Sequence, residues 1–276
     1  MNAQKMNNHT VMLIAVVSLA LVLWLIAVPL GMLPPPIGPA ASQFAECARQ
    51  TVALTLVSGA IGLLLGIVVA LGKLARNPLA QYPANFYVWV IRGTPLLVQI
   101  LFVYLALPVV FPELKLSDFN SAVIALALNV GAYNAEAMRG GILAVSRGQL
   151  DAARSLGLTP LVAFRHVTMP QAVRISLPAL VNNLVGLLKD SSLASAIGVV
   201  ELAMIGNRVQ AESFQPAPVF VTVAATYLVL TTTLTWFSNN GMDAPTRSGI
   251  VCAKVEVCCV HLNARSVRYE DYCRRD

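Results

Sequence analysis

The sequence predicts an all-α membrane protein with about six transmembrane helices, and three observations carry that prediction. The first is composition: 57% of the 276 residues are hydrophobic and only 12% are charged, whereas a soluble globular domain carries about 25% charge. The second is the gathering of apolar residues into long runs: Val11 to Leu33, Thr51 to Leu74, Phe86 to Val110, Ala122 to Ala144, about Ile175 to Val200, and Val219 to Phe237. Each run approaches the roughly 20 residues that a helix needs to cross the hydrocarbon core. The third is the placing of basic residues. Lys73, Arg76, Arg92, Arg139, Arg147, Arg154, Arg165 and Arg174 fall around connections on one side, while Arg49, Lys115 and Arg208 fall on the other. Lysine and arginine are retained on the cytoplasmic side, so that side receives the first set and both termini. The net charge of +6 is then mainly topology plus a basic tail, and it argues against a nucleic-acid partner.

Taken in order, the first run has only Lys5 upstream and is longer than the apolar part of a cleaved signal, roughly 7 to 15 residues. No clean small-residue cleavage site follows it, so it reads as a membrane anchor. Pro34, Pro35 and Pro36 then make a stiff non-helical exit. Residues 1–48 thus form an anchor with a proline-rich extracytoplasmic loop. The second run carries Ser58, Gly62, Gly66 and Ala70 at every fourth position. Such a stripe lets another helix approach closely, either in a second subunit or within the same one. Arg92, Gly93 and Pro95 mark an interruption at the start of the third run, because Pro95 lacks an N–H and disfavours helix at Thr94. Glu136 and Arg139 are three apart on the fourth run and can pair on one face, as a structural ion pair or as a substrate contact.

Between the fourth and fifth runs the chain turns polar: GQLDAARSLGLTPLVAFRHVTMPQA, Gly148 to Ala172. A short amphipathic helix over Gln149 to Leu156 stops at Gly157, which takes the left-handed cap conformation cheaply. Thr159 and Pro160 suit the N-cap and first position of a second helix, and Met169-Pro170 is expected to end it. Leu150, Leu156, Leu161, Val162 and Phe164 are unusual in a solvated loop, since clustered exposed apolar residues mark contact sites. The fifth run holds Asn182, Asn183, Lys189, Asp190 and Ser191. Charge inside a span is costly and faces a bundle interior or a wet cavity. These residues either line a path for a charged solute or lock helix packing.

The chain carries no ATP-binding loop. Its nearest candidate, GIVVALGKL from Gly66 to Leu74, has the wrong glycine spacing and Leu74 where Ser or Thr would bind magnesium. His9, His166 and His261 are too scattered for a catalytic or metal constellation. After Phe237 the composition changes: residues 238–276 hold eleven of the 32 charged residues (19 basic plus 13 acidic). Cys252, Cys258, Cys259, His261 and Cys273 lack the paired spacing of common zinc sites, so residues 239–276 read as an atypical disordered tail.

GQLDAARSLG, with PQA beginning thirteen residues after Gly157 and LPAL at Leu177 to Leu180, resembles the EAA loop of ABC importer permeases. Asp151, Ala152 and Ala153 stand where that motif has Glu-Ala-Ala, one methylene shorter at the acid, and Pro178 falls in LPAL. IRGTPLLVQI (Ile91 to Ile100), NVGAYNAEAMRGGI (Asn129 to Ile142) and LLKDSSLASAIGVVEL (Leu187 to Leu202) resemble the polar amino-acid uptake branch of the same family. The resemblance implies that residues 49–238 form a type I transmembrane domain with a cytoplasmic coupling-helix hairpin. It implies an inner-membrane permease that pairs with an identical or homologous subunit, with a separate ABC ATPase, and with an extracytoplasmic solute-binding protein. Asp151, Ala152, Ala153, Arg154 and Gly157 would dock the ATPase, which alone would hold ATP and magnesium. The rival readings are an ion-coupled secondary transporter, with Lys189 and Asp190 as the relay, and a non-transporting membrane scaffold.

Overall fold

The computed structural model describes residues 23, 26–75, 77–113 and 116–242, with side chains as far as 236. Most of the first apolar run, His9, and residues 243–276 with the tail's cysteines and His261 lie outside the described residues. Regular structure among the described residues is entirely helical. The helices are α1 (Ala27–Gly31), α2 (Ile37–Leu74), α3 (Pro78–Gly93), α4 (Leu96–Val110), α5 (Asp118–Leu143), α6 (Arg147–Ser155), α7 (Pro160–Ile197), α8 (Leu202–Ser213) and α9 (Pro216–Met242).

Among the described residues α2, α7 and α9 are each long and apolar enough to span a membrane, and α3 with α4 qualifies as one broken span. The fourth run is the continuous helix α5 but falls short of the same apolar threshold, because Asn129, Asn134 and Glu136 interrupt it. α5 can hold them because it is the central helix. Ala122, Leu126, Ala132 and Ala135 are fully buried, so its polar groups meet protein rather than lipid. The second run begins earlier than its apolar stretch, since α2 starts at Ile37, directly after the non-helical Pro34 to Pro36.

The small-residue stripe of α2 faces α5 of the same chain. A Cβ on Gly66 would stand 2.7 Å from Asn134 Cβ, and one on Gly62 would stand 2.9 Å from the Ala127 carbonyl. Ser58 and Ala70, at the two ends of the stripe, are buried as well.

Prolines shape the remaining spans, and two of them do so differently from expectation. The interruption at Thr94-Pro95 lies inside the third span rather than at its start, because α3 begins at Pro78, capped by Asn77, whose side chain accepts from Leu79 N at 3.0 Å. Thr94 is extended, as a residue before proline prefers, and α4 leaves at 110° to α3. Met169-Pro170 does not end the hairpin's second helix. The chain widens into a π-turn over Phe164–Thr168 and continues helically to Ile197. The same device precedes Pro108, with a π-turn over Phe102–Ala106. In both cases the residue just before the proline donates its N–H five residues back, to Phe164 O and Phe102 O. The wider turn carries the helix past a residue that has no N–H and would crowd a carbonyl four residues earlier. Pro178 is likewise accommodated inside the helix.

Beyond Gly198, which has a left-handed φ of 88°, the chain re-enters order at Glu201. This carboxylate is fully buried and caps α8, accepting from Ala203 N at 2.8 Å and Met204 N at 2.9 Å. Tyr227 of α9 donates to it at 2.8 Å, and Thr51 of α2 accepts from Leu202 N at 3.1 Å. The acid thus ties α8 to α9, and the neighbouring Leu202 N–H ties α8 to α2. Burial pushes the Glu201 carboxyl above the ordinary 4.5, against its hydrogen bonds, which pull it down.

Candidate functional site: a docking hairpin and an intramembrane cavity

The hairpin between α5 and α7 owes its shape to one glycine. α6 closes with Leu158 N bonded to Ala153 O at 3.1 Å and Gly157 N to Arg154 O at 2.9 Å, the paired bonds of a Schellman cap. That cap places Gly157 at φ 76°, where other residues are strained. The next helix begins at once, with Thr159 extended and Pro160 at its first position. Of the five predicted docking residues, Ala153 is buried against the hairpin, and Asp151, Ala152, Arg154 and Gly157 are exposed. Asp151 and Arg154 pair at 3.3 Å, each side chain 68% exposed. An ion pair so open to water contributes little stability, and both charges remain available to a partner. Leu156 and Leu161, 81% and 76% exposed, stand on either side of the glycine turn.

The second feature is a cavity of about 450 Å³ where α5, α7 and the α3–α4 break meet. Asn129 and Tyr133 of α5, Asn182, Asn183 and Asp190 of α7, and Thr94 of the break line it. Irregular backbone at membrane depth is tolerated where it lines a wet cavity and its polar groups are satisfied. Gln99 supplies the satisfaction, donating to Ile91 O at 2.7 Å and to Thr94 O at 3.1 Å, while its own carbonyl accepts from Asn129 at 3.0 Å. Asn183 donates to Asn134 Oδ1 at 3.0 Å. Of the five predicted pathway residues, the structure brings Asn182, Asn183 and Asp190 together. Lys189, next to Asp190 but on another face, is exposed. Ser191 is fully buried and donates to Leu188 O at 2.8 Å.

The Glu136–Arg139 contact forms at 2.9 Å. Lys73 of α2 joins it, so one carboxylate bridges two cations and fastens α2 to α5. Lys73 and Glu136 lie in the wall of a second cavity, about 540 Å³, which Arg92, Gly93 and Trp89 also line. Arg92 sits with its guanidinium 5.2 Å from the centre of the Tyr133 ring. Sequence reasoning missed Thr94, Asn129, Tyr133, Gln99 and Lys73. A signal existed for two of them, since Asn129 and Tyr133 fall on one side of α5 with Glu136 at helical spacing. None existed for Lys73, which reaches Glu136 from 63 residues away.

A helical membrane domain with an exposed charged hairpin and a polar cavity between its helices fits a transport-protein membrane component, and comparison with known proteins agrees. The family described as "Binding-protein-dependent transport system inner membrane component" matches residues 62–240. The glutamine transport system permease protein of Escherichia coli (strain K12) is 36% identical over 200 residues, covering 72% of this chain and 91% of that protein. The octopine transport system permease protein of Rhizobium meliloti is 40% identical over 185 residues, covering 64% and 75%. Among solved structures, an amino acid ABC transporter with histidines superposes with a TM-score of 0.70 at 37% identity, covering 74% of this chain and 94% of that one. An inward-facing methionine ABC transporter, TM-score 0.66 at 22% identity, shares the fold. The chain belongs to the binding-protein-dependent transport system inner membrane component family, and it is a multi-pass protein of the inner membrane.

Proposed function

We propose that the chain is the permease subunit of an ATP-driven importer that carries a polar amino acid or close analogue across the inner membrane. It works beside a second permease subunit, identical or homologous, with an ABC ATPase below and an extracytoplasmic solute-binding protein above. The observation that carries this reading is the continuity of α7. A single helix runs from the hairpin turn, at Pro160, to the cavity-lining Asn182, Asn183 and Asp190. The hairpin and the cavity are therefore joined through one helix. Relatives named for glutamine, octopine and arginine transport support the amino-acid class.

In this reading the basic connections and both termini face the cytoplasm. Asp151, Arg154 and the flanking leucines fit the ATPase surface, and the Gly157 turn sets their relative placing. Asp190 meets the substrate's ammonium, and the asparagines supply neutral donors and acceptors. ATP and magnesium belong to the ATPase, and this chain binds no cofactor of its own.

Site-specific cross-linking tests the docking step. A photoreactive probe on a cysteine at Ser155, which is exposed beside Asp151, is expected to trap a P-loop ATPase in membranes. Failure to trap one from a folded, inserted chain would contradict the reading.

A further inference from the structure

We infer that Arg92 is a carboxylate-binding residue of the translocation path, so that the cavity takes a free α-amino acid by both of its charges. The inference rests on the transport function proposed above and adds a specificity-determining residue to it. Lys73, which lines the second cavity, is held by Glu136, and so is Arg139 one turn further along α5. Among the described residues Arg92 is within ion-pairing distance of no carboxylate, and Asp190 is within that distance of no cation, its sequence neighbour Lys189 included. Arg92 lies in the last turn of α3, at the break between α3 and α4, and is exposed there without an ionic partner. Its partner here is the π-face of Tyr133 at 5.2 Å, a weaker contact than a guanidinium makes with a carboxylate.

The position of that contact gives it a role. Tyr133 and Thr94 line the cavity that holds Asp190, whereas Arg92 and Gly93 line the other. Two consecutive residues of the α3–α4 break, Gly93 and Thr94, therefore belong to opposite cavities, and the Arg92 side chain is stacked at their boundary. A zwitterion whose ammonium lies at Asp190 offers its carboxylate to Arg92, which leaves the ring of Tyr133 for the stronger pairing. The uncompensated acid and the uncompensated base then neutralise each other through the substrate. An amine without a carboxylate leaves Arg92 unmatched.

The experiment is equilibrium binding of radiolabelled L-arginine and L-glutamine, and of their C-terminal amides, to the permease–ATPase complex in nanodiscs without the solute-binding protein. The wild type is expected to hold a free amino acid at least about tenfold tighter than its amide, the size of a lost charge-assisted bond. Arg92→Gln is expected to weaken the acid and leave the amide unchanged, closing that gap, and Arg92→Lys to restore part of it. Asp190→Asn is expected to weaken acid and amide alike. A gap that survives in Arg92→Gln, or no gap or no binding in the wild type, overturns the inference. ATP-driven uptake by the wild type, measured alongside, separates that failure from failure of the transport reading.

Discussion

At the scale of single residues, two positions carry consequences that a contact inventory would miss. Gly157 has no atom within 4 Å of where a Cβ would stand, so substitution there is resisted by backbone conformation alone. The left-handed φ costs an ordinary residue about 1–2 kcal/mol, and asparagine tolerates it better. Gly157→Asn is therefore expected to keep ATPase capture by the Ser155 probe, and Gly157→Val to lose most of it. Similar capture by both would show that the turn does not set the docking geometry. Glu201 is the second. Because burial raises its carboxyl in the folded chain, the folded state keeps a proton that the unfolded state has released once the pH exceeds about 4.5. Stability therefore falls as pH rises through that window and levels off above the folded-state value. The thermal midpoint in detergent is expected to trace this decline in wild type, while Glu201→Gln removes it. An identical pH profile in the two proteins would contradict the assignment. The hairpin's glycine was legible because a helix stop has a sequence signature. The role of Glu201 was not, since its side-chain partner Tyr227 lies 26 residues away on another helix.

At the scale of elements, the sequence pattern located helices more reliably than it located their ends. Apolar runs marked α2, α5, α7 and α9 because burial in lipid demands them. The same runs hid the start of α2 at Ile37, and proline misled at Pro170. A proline ends a helix only when the helix cannot rearrange, and a π-turn over Phe164–Thr168 is such a rearrangement. Of the stripe on α2, sequence established only that something approaches closely. The neighbour is α5 of the same chain. Gly66→Leu is accordingly expected to destabilise the isolated chain by at least about 1–3 kcal/mol, the usual cost of overpacking. The readout is the thermal midpoint of the purified subunit. A midpoint unchanged in the single subunit but lowered in the complex would place the stripe between subunits instead.

At the scale of the whole molecule, fold class was the most legible property, because it follows from composition and run length rather than from any one contact. The cavity was half legible. Asn182, Asn183 and Asp190 declared themselves by being polar within an apolar run, whereas Thr94 and Gln99 matter through a break whose geometry no pattern encodes. The hairpin and the cavity share α7, and in the proposed function ATP energy applied to the one moves solute through the other. The most direct test is uptake of radiolabelled glutamine and arginine into proteoliposomes holding the permease, its ATPase and its solute-binding protein. The account predicts accumulation that starts on ATP addition, requires all three components and is indifferent to collapsing ion gradients. Uptake that follows an ion gradient without ATP, or no uptake from a fully assembled complex, would contradict it.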